Sequence, residues 1–137
     1  MNLAEIPLFS MLKGRFGHLG ERQRLISQNV ANSDTPGYTP TDLKAYSFEA
    51  QMKAQGTPSV TQAVTQVGHM ASTARKPAPF KPIKTKDSET TLDGNSVVLE
   101  EEMMKMAQAR MNYDAAISFY QKSLGMLRTA SRPPGRG

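Results

Sequence analysis

Cysteine is absent from this 137-residue chain, which excludes disulfides, thiolate nucleophiles and every metal site that uses sulfur. The same absence leaves the redox compartment open, so cytoplasm and periplasm are both compatible. Tryptophan is missing too, aromatic residues make up only 7%, and hydrophobic residues 38%, a thin supply of core for one small domain. Nine methionines supply flexible packing material instead. No apolar run approaches the roughly 20 residues that span a bilayer, so direct membrane insertion is not expected. The N-terminus MNLAEIPLFSMLKGRFGHLG lacks a charged start followed by an uninterrupted apolar stretch, so a cleaved secretory signal is not expected either. Any route out of the cytoplasm must read something else.

The charge of +5 and pI near 9.6 raise the question of nucleic acid. Its distribution argues against that partner. Basic residues are spread over Lys13, Arg15, Arg22 and Arg24, then Lys76, Lys81, Lys84 and Lys86, then Arg128, Arg132 and Arg136, with few aromatics between them to stack bases. A solvated or inter-subunit charge pattern is the expected cause.

The chain reads as one structural unit in four stretches: an N-terminal helical segment over 1–32, an irregular middle over 33–95, a long C-terminal helix over 96–130, and a disordered basic tail over 131–137. Phe9, Leu12, Phe16, Leu19, Gln23, Ile26 and Val30 recur at spacings of three and four, which puts them on one helical stripe. Gly14, Gly17 and Gly20 interrupt it, each at about 1 kcal/mol relative to alanine, so the first half of this helix needs packing to form. The turn formers from Asn32 to Gly37 end it.

From Ser33 to Asn95 the chain carries Pro36, Pro40, Pro58, Pro77, Pro79 and Pro82 and sustains no period of 3.6 or 2, so it is expected to be irregular or partly disordered. Ser47 to Lys53 as a helical turn and Ser59 to Met70 as extended chain are the local exceptions. Beyond it, Leu99, Met103, Met106, Arg110, Tyr113, Ile117, Tyr120, Leu124 and Leu127 alternate four and three without a slip, predicting one continuous helix from about Val97 to Ala130. Asn95 or Ser96 is the expected N-cap, Glu100, Glu101 and Glu102 favour the start of the helix dipole, and Pro133 and Pro134 close the helix. A helix with a seam this narrow needs a partner helix, and the N-terminal seam is the obvious one. The predicted fold is mainly α, with N- and C-terminal helices paired as a coiled coil around a Pro-rich middle. Gln23 and Arg110 are polar positions on the two seams that can set register.

Chemistry is hard to find. His18 and His69 lie in different segments with no matched ligand, and no nucleophile elbow or paired motif surrounds the serines. The glycines near the start follow no strand, as a phosphate-binding loop would, and those of RPPGRG belong to the tail. Met103, Met104, Met106 and Met111 are better explained by packing than by a copper box. No catalytic residue, cofactor or metal is expected.

Ser27 to Pro40, reading SQNVANSDTPGYTP, resembles the motif of the flagellar axial proteins, the rod and hook family, in which a helix ends in Asn-Val/Ile-Ala-Asn before Thr-Pro-Gly-Tyr. The matching positions are Asn29, Val30, Ala31, Asn32, Thr35, Pro36, Gly37 and Tyr38. Asp34, Asp42-Leu43, Gly68-His69-Met70 and the run Leu92-Asp93-Gly94-Asn95-Ser96-Val97-Val98-Leu99-Glu100-Glu101-Glu102-Met103, then Lys105-Met106-Ala107 and Tyr113, are similar to its proximal-rod branch.

The resemblance implies a non-catalytic structural subunit of the basal-body rod, in the periplasmic space, exported from the cytoplasm through the flagellar type III apparatus without a cleaved signal. It implies self-association through the terminal helices, with FlgC and FlgF, FliE and the MS ring as neighbours, and part of the axle that transmits torque for motility. A soluble coiled-coil adaptor and a basic nucleic-acid binder are the competing classes, and neither explains motifs near both ends of the chain.

Overall fold

A computed structural model of the chain describes residues 7–55, 80–132 and 135. The elements run α1 (Pro7–Ala31), β1 (Thr41–Leu43), α2 (Phe48–Gln55), β2 (Pro82–Lys84) and α3 (Leu99–Ala130). Gly68-His69-Met70, the extended piece from Ser59 to Met70, and Pro133-Pro134 lie outside the described residues.

The two terminal helices form and pair, as their periodicity predicts. Helix α1 crosses its glycines unbroken, and α3 is 32 residues, about 48 Å at 1.5 Å per residue. The pair is antiparallel, because Phe9 meets Tyr120 and Phe16 meets Tyr113 at centroid distances of 5.3 and 5.4 Å, while Asn29 at the other end of α1 reaches Glu102. Both ring pairs are edge-on, a geometry in which an aromatic contact adds about 0.5–1.5 kcal/mol beyond area burial. Phe9, Leu12, Leu19 and Ile26 of the predicted α1 seam are buried.

On α3 the seam is rotated by one position from the predicted one. Met106, Tyr113, Tyr120 and Leu127 are half-buried as one half of it, but the other half is Glu102, Ala109, Ala116 and Ser123, which are buried. Leu99 and Met103, read as packing residues, remain 40% and 64% exposed, Arg110 is exposed, and Ile117 and Leu124 are half-buried. The reason is size beyond the first turn: the small side chains of Ala109, Ala116 and Ser123 let α1 approach closely while the large side chains pack to either side. Ile26, on the α1 seam, has no exposed surface. Ile26→Ala is expected to lower unfolding free energy by about 2–5 kcal/mol, read as a fall in urea midpoint at unchanged slope.

The start of α3 also differs from expectation. Its N-cap is Val98, which makes no side-chain cap bond; Asn95 and Ser96 are buried elsewhere, and the Val98 N–H is met from a distance by the Asp87 carboxylate at 2.9 Å. Within the middle stretch, the chain from Ser47 does enter a helix, α2. The antiparallel pairing of β1 with β2, Thr41 opposite Lys84 and Leu43 opposite Pro82, has no counterpart in the sequence reading.

Of this pair, β1 lies against a second face of α1, and β2 is exposed on its outer edge. Arg22 of α1 makes a two-pronged ion pair with Asp42, through Nε at 3.0 Å and Nη2 at 3.2 Å. His18 donates its Nε2–H to the Lys44 carbonyl at 2.8 Å and stands edge-on to Tyr46 and Phe80. Leu25 and Leu43 are buried in the same region. Helix α1 is thus the middle layer, with α3 on one side and β1 on the other.

Candidate functional site

The motif positions near the two ends of the chain meet in space, at the end of the helix pair where α1 finishes and α3 begins. Asn29 is the centre of the arrangement. It is 1% exposed, and its side-chain amide faces the Thr41 backbone as a neighbouring strand would: Nδ2 donates to the Thr41 carbonyl at 2.8 Å, and Oδ1 accepts the Thr41 N–H at 2.9 Å. Nδ2 also donates to Glu102 Oε2 at 2.9 Å, and Oδ1 accepts the Tyr38 hydroxyl at 3.1 Å. One side chain therefore joins α1, the turn after it, β1 and α3.

Glu102 belongs to the acidic run read as favourable charge at a helix start. Glu100 is exposed, and Glu101 is half-exposed and accepts the Ser88 hydroxyl, but Glu102 has no exposed surface. A buried carboxylate needs partners. Besides Asn29, Glu102 accepts Lys105 Nζ at 2.7 Å, and the same ammonium donates to Asp87 Oδ1 at 2.6 Å. Burial, the largest influence on Lys105, pushes its pKa down, but the hydrogen bonds to Asp87 and Glu102 and their charges outweigh it and hold the pKa above the ordinary value.

The second layer of the clip is backbone. After α1 the Asn32 amide donates to the Gln28 carbonyl at 2.8 Å, closing the helix end, and Gly37 takes φ +71° to turn the chain. The loop Asp93-Gly94-Asn95 docks on that turn. Gly37 N–H donates to the Asp93 carbonyl at 2.9 Å, Ser96 N–H donates to the Tyr38 carbonyl at 3.0 Å, and Asn95 Nδ2 donates to the carbonyls of Asn32 at 2.9 Å and Thr35 at 2.7 Å. Gly94 likewise takes a positive φ, +85°, which L side chains rarely adopt, and it packs on the Gly37 backbone at ordinary contact distance. The Thr91 hydroxyl and the Asn95 N–H both donate to the Asp93 carboxylate, and together they draw its pKa below the ordinary value.

Among the motif positions, Asn29, Asn32, Thr35, Gly37, Tyr38, Asp93, Gly94 and Asn95 enter this hydrogen-bonded unit, while Ala31, Asp34 and Pro36 are exposed on its surface and Val30 is half-buried beside it. Sequence reasoning missed Thr41 and Asp87 as members, and Lys105 entered it only as a position of the family resemblance. The Glu102–Lys105 spacing of three is the one local signal that pointed to any of them.

The arrangement has the chemistry of a clasp. Its carboxylates are committed to the Lys105 ammonium, the Asn29 amide, the Thr91 hydroxyl and backbone N–H groups. Among the described residues no group of three or more His, Asp or Glu could hold a metal ion, and no helix is long and apolar enough to cross a membrane. His18 is a core histidine whose Nδ1 has no hydrogen-bond partner among the described residues, and His69 lies outside them.

No family model matches the chain. Curated proteins do. The flagellar basal body rod protein FlgB of Yersinia enterocolitica is 26% identical over 101 residues, 72% of this chain and 74% of its own. That of Agrobacterium fabrum strain C58 is 29% identical over 119 residues, 82% of this chain and 84% of its own. FlgB of Cereibacter sphaeroides strain ATCC 17023 is 30% identical over 110 residues, 80% of this chain and 81% of its own. With that identity over four-fifths of both chains, and with its motif residues gathered into one clasp, the protein belongs to the FlgB family of flagellar basal body rod proteins.

Proposed function

We propose that the chain is a structural subunit of the proximal rod, polymerising through its terminal helices as part of the axle that transmits motor torque, with no catalytic step. The observation that carries this reading is the clasp around Asn29. It spends the family's motif residues on joining the two terminal helices at one end, which is what a subunit that stacks by its helices requires. In this reading Phe9, Leu12, Phe16, Leu19, Ile26 and Val30 face Met106, Tyr113, Tyr120 and Leu127 within the subunit. Leu99, Met103, Ile117 and Leu124, which α1 leaves partly or largely open, go to contacts between subunits. The contacts are heterologous and need not close. FlgC, FlgF, FliE and the MS ring are the neighbours, and the subunit reaches the periplasmic space through the flagellar type III export apparatus.

Deletion of the gene in its source bacterium is the test. The expected result is non-motile cells whose basal bodies have an MS ring but no rod, restored by the wild-type chain. Motile cells with normal rods would remove the reading and leave a soluble coiled-coil adaptor.

A further inference from the structure

Helix α3 carries a second apolar stripe that the rod reading does not assign. Met104, Met111, Phe119 and Met126 are 71%, 71%, 50% and 57% exposed, on the side of the helix away from Ala109, Ala116 and Ser123, which face α1. Large exposed side chains on one helical face, with the polar Gln108 and Lys122 between them, form a candidate contact surface. Their order says which surface fits it. The row runs Met104, Met111, Ala115, Phe119, Met126, with spacings of seven, four, four and seven, so its spacing is symmetric about Ala115, with Met111 mirrored by Phe119.

From this we infer that the stripe pairs with the same stripe of a second copy, antiparallel, about a two-fold axis at Ala115. The register places Met104 opposite the second copy's Met126, Met111 opposite its Phe119, and Gln108 opposite its Lys122. Ala115 is exposed and small, which lets the two helices approach at the axis. A shallow depression bounded by Glu101, Met104, Lys105 and Gln108 lies where the second copy's Met126 arrives. Such a contact is isologous and closes on itself, unlike the open contacts of a polymer. The stripe is about 33 Å long and the helix about 10 Å wide, so it covers well under the roughly 800 Å² per partner of a stable complex. The dimer is therefore reversible, a resting form of the free subunit.

The inference does not rest on the rod reading, and its test uses the purified full-length chain. The chain has no cysteine, so single cysteines report register cleanly. With a short bis-maleimide, Ala115→Cys is expected to cross-link to itself. Met104→Cys alone is not, because the two copies of that position lie about 33 Å apart, whereas a mixture of Met104→Cys and Met126→Cys chains cross-links. Sedimentation equilibrium is expected to show a concentration-dependent dimer, weakened at least tenfold by Met111→Glu with the circular dichroism of the wild type retained. A monomer at every concentration, self-linking of Met104→Cys, or a dimer insensitive to Met111→Glu would overturn the inference.

Discussion

Asn29→Ala is expected to lower the stability of the free chain by about 3 kcal/mol or more, although it removes few atoms and little apolar area. The deletion leaves Glu102 Oε2 without its amide donor, and the Thr41 N–H and carbonyl without the partner that stands in for a strand. Each buried polar group left unsatisfied costs about 1–3 kcal/mol; these three are affected, along with the Tyr38 hydroxyl of a half-buried residue. Asn29→Leu fills the space but is expected to be no better, since it supplies neither donor nor acceptor. Urea titration followed by circular dichroism reads the effect. A loss under about 1 kcal/mol would mean that water replaces the amide and that the clasp does not hold α1 to α3.

Lys105→Met is expected to cost about 3 kcal/mol at neutral pH, near the lower end for breaking a buried ion pair, because the lysine side chain is 22% exposed while Asp87 and Glu102 are 1% and 0% exposed. Removing the ammonium leaves two carboxylates facing each other with their shared cation gone. The same contact makes a signed prediction about pH. The folded-state pKa of Lys105 is raised above its ordinary 10.5. Its stabilising contribution is thus complete below that value and is lost as pH rises through the folded pKa. The wild type should lose stability in that alkaline window, and Lys105→Met should lack this loss. Equal alkaline slopes in the two proteins would show that the ammonium is not held by the pair. Because Asn29 and Lys105 both act on Glu102, the double variant is expected to fall short of the sum of the two single losses.

Much of the architecture was legible because it is local. The period of three and four that defines α1 and α3 comes from neighbouring residues on one helix, and a helix with such a stripe needs a mate whatever the rest of the chain does. The motif residues were legible as a set through family resemblance, but nothing in their spacing says that Asn29 and Glu102 touch. Residues His18, Arg22, Leu25 and Asn29 also follow a four-three-four pattern and face the β1 layer, a stripe that apolar periodicity does not reveal because three of the four are polar.

What the sequence by itself determined is the presence of two long helices and their need for each other, since helical periodicity and the burial of an apolar stripe act over a few residues. Only the tertiary structure decided how they meet. Rotation of the α3 seam by one position follows from close approach at Ala109, Ala116 and Ser123, which a count of large apolar residues cannot see. Burial of Glu102 depends on an amide from α1 and a lysine shared with Asp87, and the β1–β2 pair depends on Thr41–Leu43 meeting Pro82–Lys84 across the intervening chain. These contacts join residues far apart in the chain, so their free energy exists only once the helices have brought them together.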